Sequence, residues 1–146
     1  MLHLGEATAP KVLRLLVHGE PIAKGRPRIV KPKGRDRVMA FTPQSTVAHM
    51  DLIRRRYLDE HADGKMFEAD VALVALFSFT ISRPKSAPRK RRWPVVRPDL
   101  TNYAQLVCDA LTGFAYHDDS QLVEIHLEKQ YGVAPSTLVT IFPKDT

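Results

Sequence analysis

Apolar and polar residues alternate over residues 11–18, with Leu13, Leu15 and Val17 on one face, and this period of two predicts a half-buried strand. Residues 19–37 break the pattern with Pro, Gly and basic side chains and read as a long exposed loop. Thr42 followed by Pro43 marks a helix start, with Thr42 as the cap. The helix is predicted from Pro43 to about His61, with Val47, Met50, Ile53, Tyr57 and Leu58 as its apolar stripe and Gly64 closing the segment. A second strand is expected over residues 70–81, where Val71, Leu73, Ala75, Phe77, Phe79 and Ile81 line one side. Four prolines over residues 83–98 exclude an ordered helix or central strand there.

A second helix is predicted from Asp99 to about Thr112. Leu100, Tyr103, Ala104, Val107 and Leu111 share one face, and Thr101, Asn102, Gln105, Asp109 and Thr112 the other. Gly113 is placed to end it. Alternation returns over residues 121–131 through Val123, Ile125 and Leu127. Residues 132–136 form a turn, and residues 137–142 are expected to complete an antiparallel hairpin. The order is β-α-β-α-β-β, an α+β single domain over residues 1–146 with helices on one face of a small mixed sheet.

At 146 residues and 44% hydrophobic composition, the chain can build a core without staples. The single cysteine, Cys108, excludes an intrachain disulfide framework and a multi-cysteine zinc site, and its helical position predicts a core role. No apolar run approaches the ~18 residues of a membrane span. Residues 1–10 lack a basic and an apolar signal region, so no secretory signal is expected there, and they are expected to be peripheral or disordered. A soluble intracellular protein is the expectation.

The charge is unevenly placed. Residues 24–37 hold seven basic residues and one acid, and residues 83–97 hold seven basic residues and none. The rest of the chain has 8 basic and 15 acidic residues, so two local blocks turn an acidic body into a protein of net charge +6. Such blocks are the footprint of a phosphate-backbone binder, although solvated loops carry charge runs too. Residues 19–25 lack the ending of a P-loop, no G-x-G-x-x-G follows a strand, and the histidines lack metalloprotease spacing.

Three acids remain as candidates. Asp99 directly follows the second basic block at a helix start, where capping is its simplest role. Asp118 and Asp119 open the following loop, where a polar turn is the simplest reading. Carboxylates in a basic setting also suit Mg²⁺, which bridges carboxylates to a substrate phosphate. About four helical turns separate the two groups, so their convergence requires the loop to fold back. Trp93, between Arg92 and Pro94, either anchors its loop or stacks on bases. His117 reads as a loop residue, and Lys129 faces inward with Val123, Ile125 and Leu127, where it needs an acidic or phosphate partner.

The run from Arg97 through Pro98, Asp99, Leu100, Thr101 and Asn102 to Asp109, Ala110, Leu111, then Asp118, Asp119, Ser120, Gln121 and Lys129, resembles the RusA family of Holliday junction resolvases. Gly19 to Arg28 and Phe41 to Thr46 resemble that family's entry segment. The resemblance implies a homodimeric, Mg²⁺-dependent endodeoxyribonuclease of phage or prophage type that nicks four-way DNA junctions in recombination and repair. It implies catalytic roles for Asp99 and Asp119, with Asp118 and the Thr101 hydroxyl as further metal ligands and Lys129 offsetting developing charge; Mn²⁺ is expected to substitute for Mg²⁺. Asp109 reads as structural. Two positions depart: Thr101 stands where the family has a second aspartate, and Gln105 where it has a basic residue. Lys24, Arg26, Arg28, Arg89, Lys90, Arg91, Arg92, Trp93 and Arg97 are the expected DNA contacts. The departures keep a second reading open, a junction- or single-strand-binding protein with little cleavage. An RNA-binding module without metal is a third, which the acids argue against. No membrane or small-molecule partner is expected, and the cytoplasm is the expected location.

Overall fold

The strand β1 (Leu13–His18) buries every second residue, so Leu13, Leu15 and Val17 point into the core as the period of two requires. The computed structural model describes residues 12–25, 28–31, 33–34 and 39–145. Two short strands, β2 (Arg28–Val30) and β3 (Met39–Phe41), pair antiparallel, with Arg28 opposite Phe41. A ribbon therefore stands where the sequence predicts only an exposed loop. Three residues per strand are too few for alternation to show, and basic and proline residues crowd around them. Helix α1 (Gln44–Glu60), strand β4 (Leu73–Ile81), helix α2 (Leu100–Leu111), a 3₁₀ turn at Asp119–Gln121 and strands β5 (Leu122–Tyr131) and β6 (Ser136–Pro143) follow. Residues 1–10 lie outside the described residues.

The sheet order is β1-β6-β4-β5, with β4 and β5 parallel and the other pairs antiparallel. The predicted hairpin is therefore corrected: β5 and β6 do not pair but straddle β4. The chain crosses the end of β4 at Gly132, whose N–H donates to the Ile81 carbonyl at 3.0 Å. A Cβ there would sit 2.5 Å from Thr80 Cγ2, so any larger residue would force the Thr80 side chain to move. The inner position falls to β6 because Val139 and Ile141 are fully buried, whereas β5 keeps Glu124, His126 and Glu128 for an edge.

Registers align Leu15, Val139, Phe77 and Leu127 in one row across the sheet, and Val17, Thr137, Phe79 and Lys129 in the next. Both helices cover this face. Tyr103, Leu106, Val107, Ala110 and Leu111 of α2 are buried in the core, and the Tyr103 ring stacks on Phe79 at 5.2 Å. Fully burying such side chains contributes about 1.5–3 kcal/mol each. The opposite face leaves Leu16, Leu76 and Leu138 exposed.

Two details of the helices differ from expectation. On α1 the buried residues are Thr46, His49, Ile53 and Tyr57, while Val47 and Leu58 face solvent. Thr46 is inside because its Oγ1 accepts the Gly25 N–H at 3.0 Å. The helix begins one residue later than predicted, with Pro43 in the cap position and Thr42 outside it. On β5, Val123 sits at an irregularity in the register with β4 and is exposed, and Ile125 is exposed as well, so of the three predicted inward apolar residues only Leu127 packs against the core.

Candidate functional site

Asp99 occupies the cap position of α2, yet its side chain makes no capping hydrogen bond. The simplest sequence role, a cap, is thus performed only by its backbone, whose carbonyl accepts from Asn102 N (3.0 Å) and Tyr103 N (3.3 Å). The exposed carboxylate lies between two clefts. One, of about 750 Å³, is lined by Trp93, Pro94, Val95, Val96, Arg97, Leu100, Glu128 and Lys129. The other, of about 630 Å³, is bounded by residues 21–25, Asn102 and Tyr103.

Three braces hold this end of the molecule. Lys24 N donates to Asn102 O at 3.0 Å, tying the loop after β1 to α2. Gly25 N reaches Thr46 on α1, and a Cβ at Gly25 would lie 2.7 Å from Pro43 Cγ. Lys129 Nζ donates to Val96 O (2.8 Å) and Pro98 O (3.1 Å). The sequence predicts an acidic or phosphate partner for Lys129; its observed partners are two carbonyls of the loop that delivers Asp99. A cation can satisfy its donors on backbone oxygen where loop carbonyls converge, and their positions are not visible in sequence.

In the second basic block, Arg83 donates to the carbonyls of Pro88 and Arg91 and lies over the Tyr131 ring at 5.2 Å. This single arginine shapes the turn that presents Arg89, Lys90 and Arg92 to solvent, with Arg91 half-buried. Among the described residues, none of Arg89, Lys90, Arg91, Arg92 or Arg97 forms an ion pair. The buried anchor of the loop is Pro94; Trp93 is 57% exposed, with the Arg92 guanidinium over its ring at 5.7 Å. In the first block, Lys24 Nζ pairs with Asp109 Oδ2 at 2.7 Å, which gives Asp109 its structural role. Arg28 opens β2, and Arg26 lies outside the described residues.

The second acid group is at the far end of α2. Asp118 and Asp119 are exposed, and Ser120 Oγ donates to Asp118 Oδ2, which holds that carboxyl below the usual carboxylate range. His117 is an exposed loop residue. Tyr116 Oη donates to Cys108 O at 2.9 Å and pins the helix exit. Cys108 packs against the core, and burial pushes its thiol up to about 11, so it is not a nucleophile at neutral pH.

Gln121 enters the sequence reading only as part of the family motif, with no structural role, yet it builds this loop. The side chain is buried; its Oε1 accepts from His117 N (2.8 Å) and Asp118 N (3.2 Å), and its Nε2 donates to Glu68 O (2.7 Å) and Val71 O (3.1 Å). All four hydrogen-bonding capacities of the amide are used. The only signal in sequence is a glutamine three residues after a cap-type aspartate, the capping-box spacing. Gln121→Glu keeps the acceptors but loses both donors and buries a charge against two carbonyls. It is expected to lower folding stability by roughly 2–4 kcal/mol at pH 7. The loss should shrink at pH 4.5, where the protonated carboxyl regains one donor. Urea unfolding at the two pH values checks this, and equal losses would mean that the donors do not matter.

Two molecular rulers separate the acid groups. Helix α2 has 12 residues, about 18 Å at 1.5 Å per residue, with Asp99 at its start; Tyr116, three residues before Asp119, is fastened to Cys108 O near its end. Seven steps along β5 from Leu122 to Lys129 give about 23 Å in the same sense. The structure therefore brings together Trp93, Arg97, Asp99 and Lys129 around one cleft, which Thr101 does not line, and places Asp118 and Asp119 elsewhere. Thr101 and Gln105 are exposed on α2. Among the described residues, no three His, Cys, Asp or Glu side chains cluster as a metal site, and no helix is long and apolar enough to cross a membrane.

A family model described as Endodeoxyribonuclease RusA matches residues 18–142. The chain is also similar to the uncharacterized protein YqaN of Bacillus subtilis (strain 168), 30% identical over 137 residues, covering 88% of this chain and 94% of that protein.

Proposed function

The chain belongs to the endodeoxyribonuclease RusA family, and from that membership together with the geometry of the site we propose a Mg²⁺-dependent, structure-selective nuclease. Its substrate is a four-way DNA junction, resolved by paired symmetric nicks during recombination and repair in the cytoplasm. The observation that carries the reading is Asp99. A carboxylate in position to cap a helix is left free, braced from three sides, between two clefts and beside unpaired cations.

The donors suit a hard divalent cation: exposed carboxylate oxygens at Asp99, Asp118 and Asp119 and a hydroxyl at Thr101. Mn²⁺ fits the same oxygens. Bound there, the ion supplies Lewis-acid polarisation of a phosphoryl oxygen and charge compensation at the leaving oxygen. A helix length between the acids means that one chain cannot offer both groups to one ion. A homodimer in which Asp99 of one copy faces Asp119 of the other resolves this, and it supplies two equivalent sites to a substrate with two equivalent strands. Lys129 holds the loop before Asp99, so its role is to position that carboxylate, with any contact to phosphate an addition. Arg89, Lys90, Arg91, Arg92 and Arg97 hold the arms by their phosphates, which orients DNA without reading sequence. Lys24, Arg26 and Arg28 of the first basic block add further phosphate contacts.

The second reading, a junction- or single-strand-binding protein with little cleavage, is favoured by Thr101 and Gln105, which remove one negative and one positive charge from the family pattern. An end-labelled four-way junction incubated with protein separates the two. Symmetric nicks that require Mg²⁺ or Mn²⁺ are the expected result. A retarded but intact junction at every metal concentration would establish the binder instead.

A further inference from the structure

The loop over residues 93–96 exposes apolar side chains on a rigid support. Trp93 is 57% and Val95 81% exposed, yet the segment is fastened by buried Pro94, by a Val95 N to Trp93 O hydrogen bond of 2.8 Å and by Lys129 Nζ on Val96 O. Large apolar side chains held in water by a braced backbone are unfavourable for the free protein, which points to a ligand that covers them. They form one wall of the cleft whose other wall is Glu128 and Lys129 and whose margin carries Asp99.

We infer that this cleft takes a single nucleobase unstacked from the DNA, laid against Trp93 and Val95, with its phosphates on Arg92 and Arg97. The inference rests on the nuclease reading and deepens it by assigning the origin of structure selectivity. The chemistry favours a base over other occupants. The wall of Trp93, Pro94, Val95 and Val96 is apolar, and the chain leading into it carries four consecutive cations, Arg89 to Arg92, with Arg97 following. A ligand must therefore combine an apolar ring face with adjacent negative charge. Within a continuous duplex each base face is covered by its neighbours, so Trp93 finds no free face there. At a branch point one neighbour is lost, and the tryptophan replaces it. Glu128, on the opposite wall, accepts the Ser78 hydroxyl at 3.1 Å and can accept from a base N–H at the rim. Phosphate contacts alone hold duplex and junction arms alike; the cleft is satisfied only by DNA with an unstacked base.

Trp93 is the chain's only tryptophan, so its emission reports the cleft directly. The full-length protein is titrated in Ca²⁺, without cleavage, against a four-way junction, a blunt duplex and a junction with 2-aminopurine at the branch point. Trp93 emission should be quenched by the junctions and not by duplex, and 2-aminopurine emission should change on binding. Trp93→Ala should lower the preference for junction over duplex by about 10-fold, within the range for removing one base-stacking aromatic. Trp93→Phe should retain most of it. Equal quenching by duplex, or an unchanged preference in Trp93→Ala, overturns the base cleft while the nuclease reading stands if the junction is still nicked. Quenching by an acidic apolar peptide but by no DNA assigns the wall to a protein partner and overturns it too. Failure to bind any DNA removes the nuclease reading first.

Discussion

Mixing an Asp99→Asn protein with an Asp119→Asn protein restores nicking of a four-way junction that neither variant nicks alone. Each single variant loses a carboxylate of the proposed site and should be slowed on the order of 10²–10³-fold, the scale for removing one preorganised charge-stabilising group. Neither should lose junction binding, because removing a negative charge from a DNA-facing surface cannot weaken phosphate attraction. The recovery follows from α2, which is about 18 Å long and has Asp99 at its start and Asp119 beyond its end. If each site joins Asp99 of one copy to Asp119 of the other, a mixed dimer carries one site with both lesions and one with none. It therefore cuts one strand and leaves the opposite strand intact. The measurement is denaturing electrophoresis of a junction labelled on two strands, after subunit exchange of the variants. Single-strand nicks from the mixture, without paired resolution, are expected. An inactive mixture of subunits shown to have exchanged would place both acids in one site of one chain and overturn the shared arrangement.

That arrangement marks where the sequence stops being legible. The strand residues Leu13, Leu15 and Val17, and the row from Leu73 to Phe79, were readable because a half-buried strand repeats every two positions and each side chain reports its own face. Pairing partners carry no such local mark. The alternation of β5 and β6 is equally consistent with a hairpin, and only the close approach of Gly132 to Thr80 distinguishes a pair of strands that straddles β4. Polar residues inside were the second blind spot. Thr46 and Gln121 are buried because backbone groups more than 20 residues away need their oxygens and nitrogens, so their burial is set by tertiary contact. The sequence offers the candidates one by one, Asp99 after a basic loop, the Asp118–Asp119 pair and Trp93, but it leaves open whether Trp93 packs or is exposed. The sequence also contains the helix between the acids, but not the distance between them. What it lacks is the direction of the exit loop, which Gln121 and Tyr116 fasten to the far end of the helix.

Replacing Arg89, Lys90, Arg91 and Arg92 together by glutamine should flatten the salt dependence of DNA binding more than any other change to the surface. Each cation that neutralises a duplex phosphate contributes about 0.9 to the log–log slope of affinity against salt, so four contacts account for about 3.6. Between 50 and 200 mM salt that share alone corresponds to about 10²-fold in affinity. No described carboxylate pairs with these four residues, so their removal leaves no acid unpaired and the fold has no reason to fail. Outside the two basic blocks the chain carries 15 acids against 8 bases, so weakening one block also lets the acidic body repel DNA. Lys24 supplies the contrast. Its ammonium lies 2.7 Å from Asp109, and a cation already neutralised within the protein releases fewer counterions when DNA binds. Lys24→Gln should therefore change the slope by less than Lys90→Gln, while freeing the Asp109 carboxylate to repel phosphate. Fluorescence anisotropy of a labelled junction across salt concentrations measures both. A slope unchanged by the fourfold replacement would make residues 89–92 an ordinary solvated turn, and the search for the DNA surface would move to the first basic block.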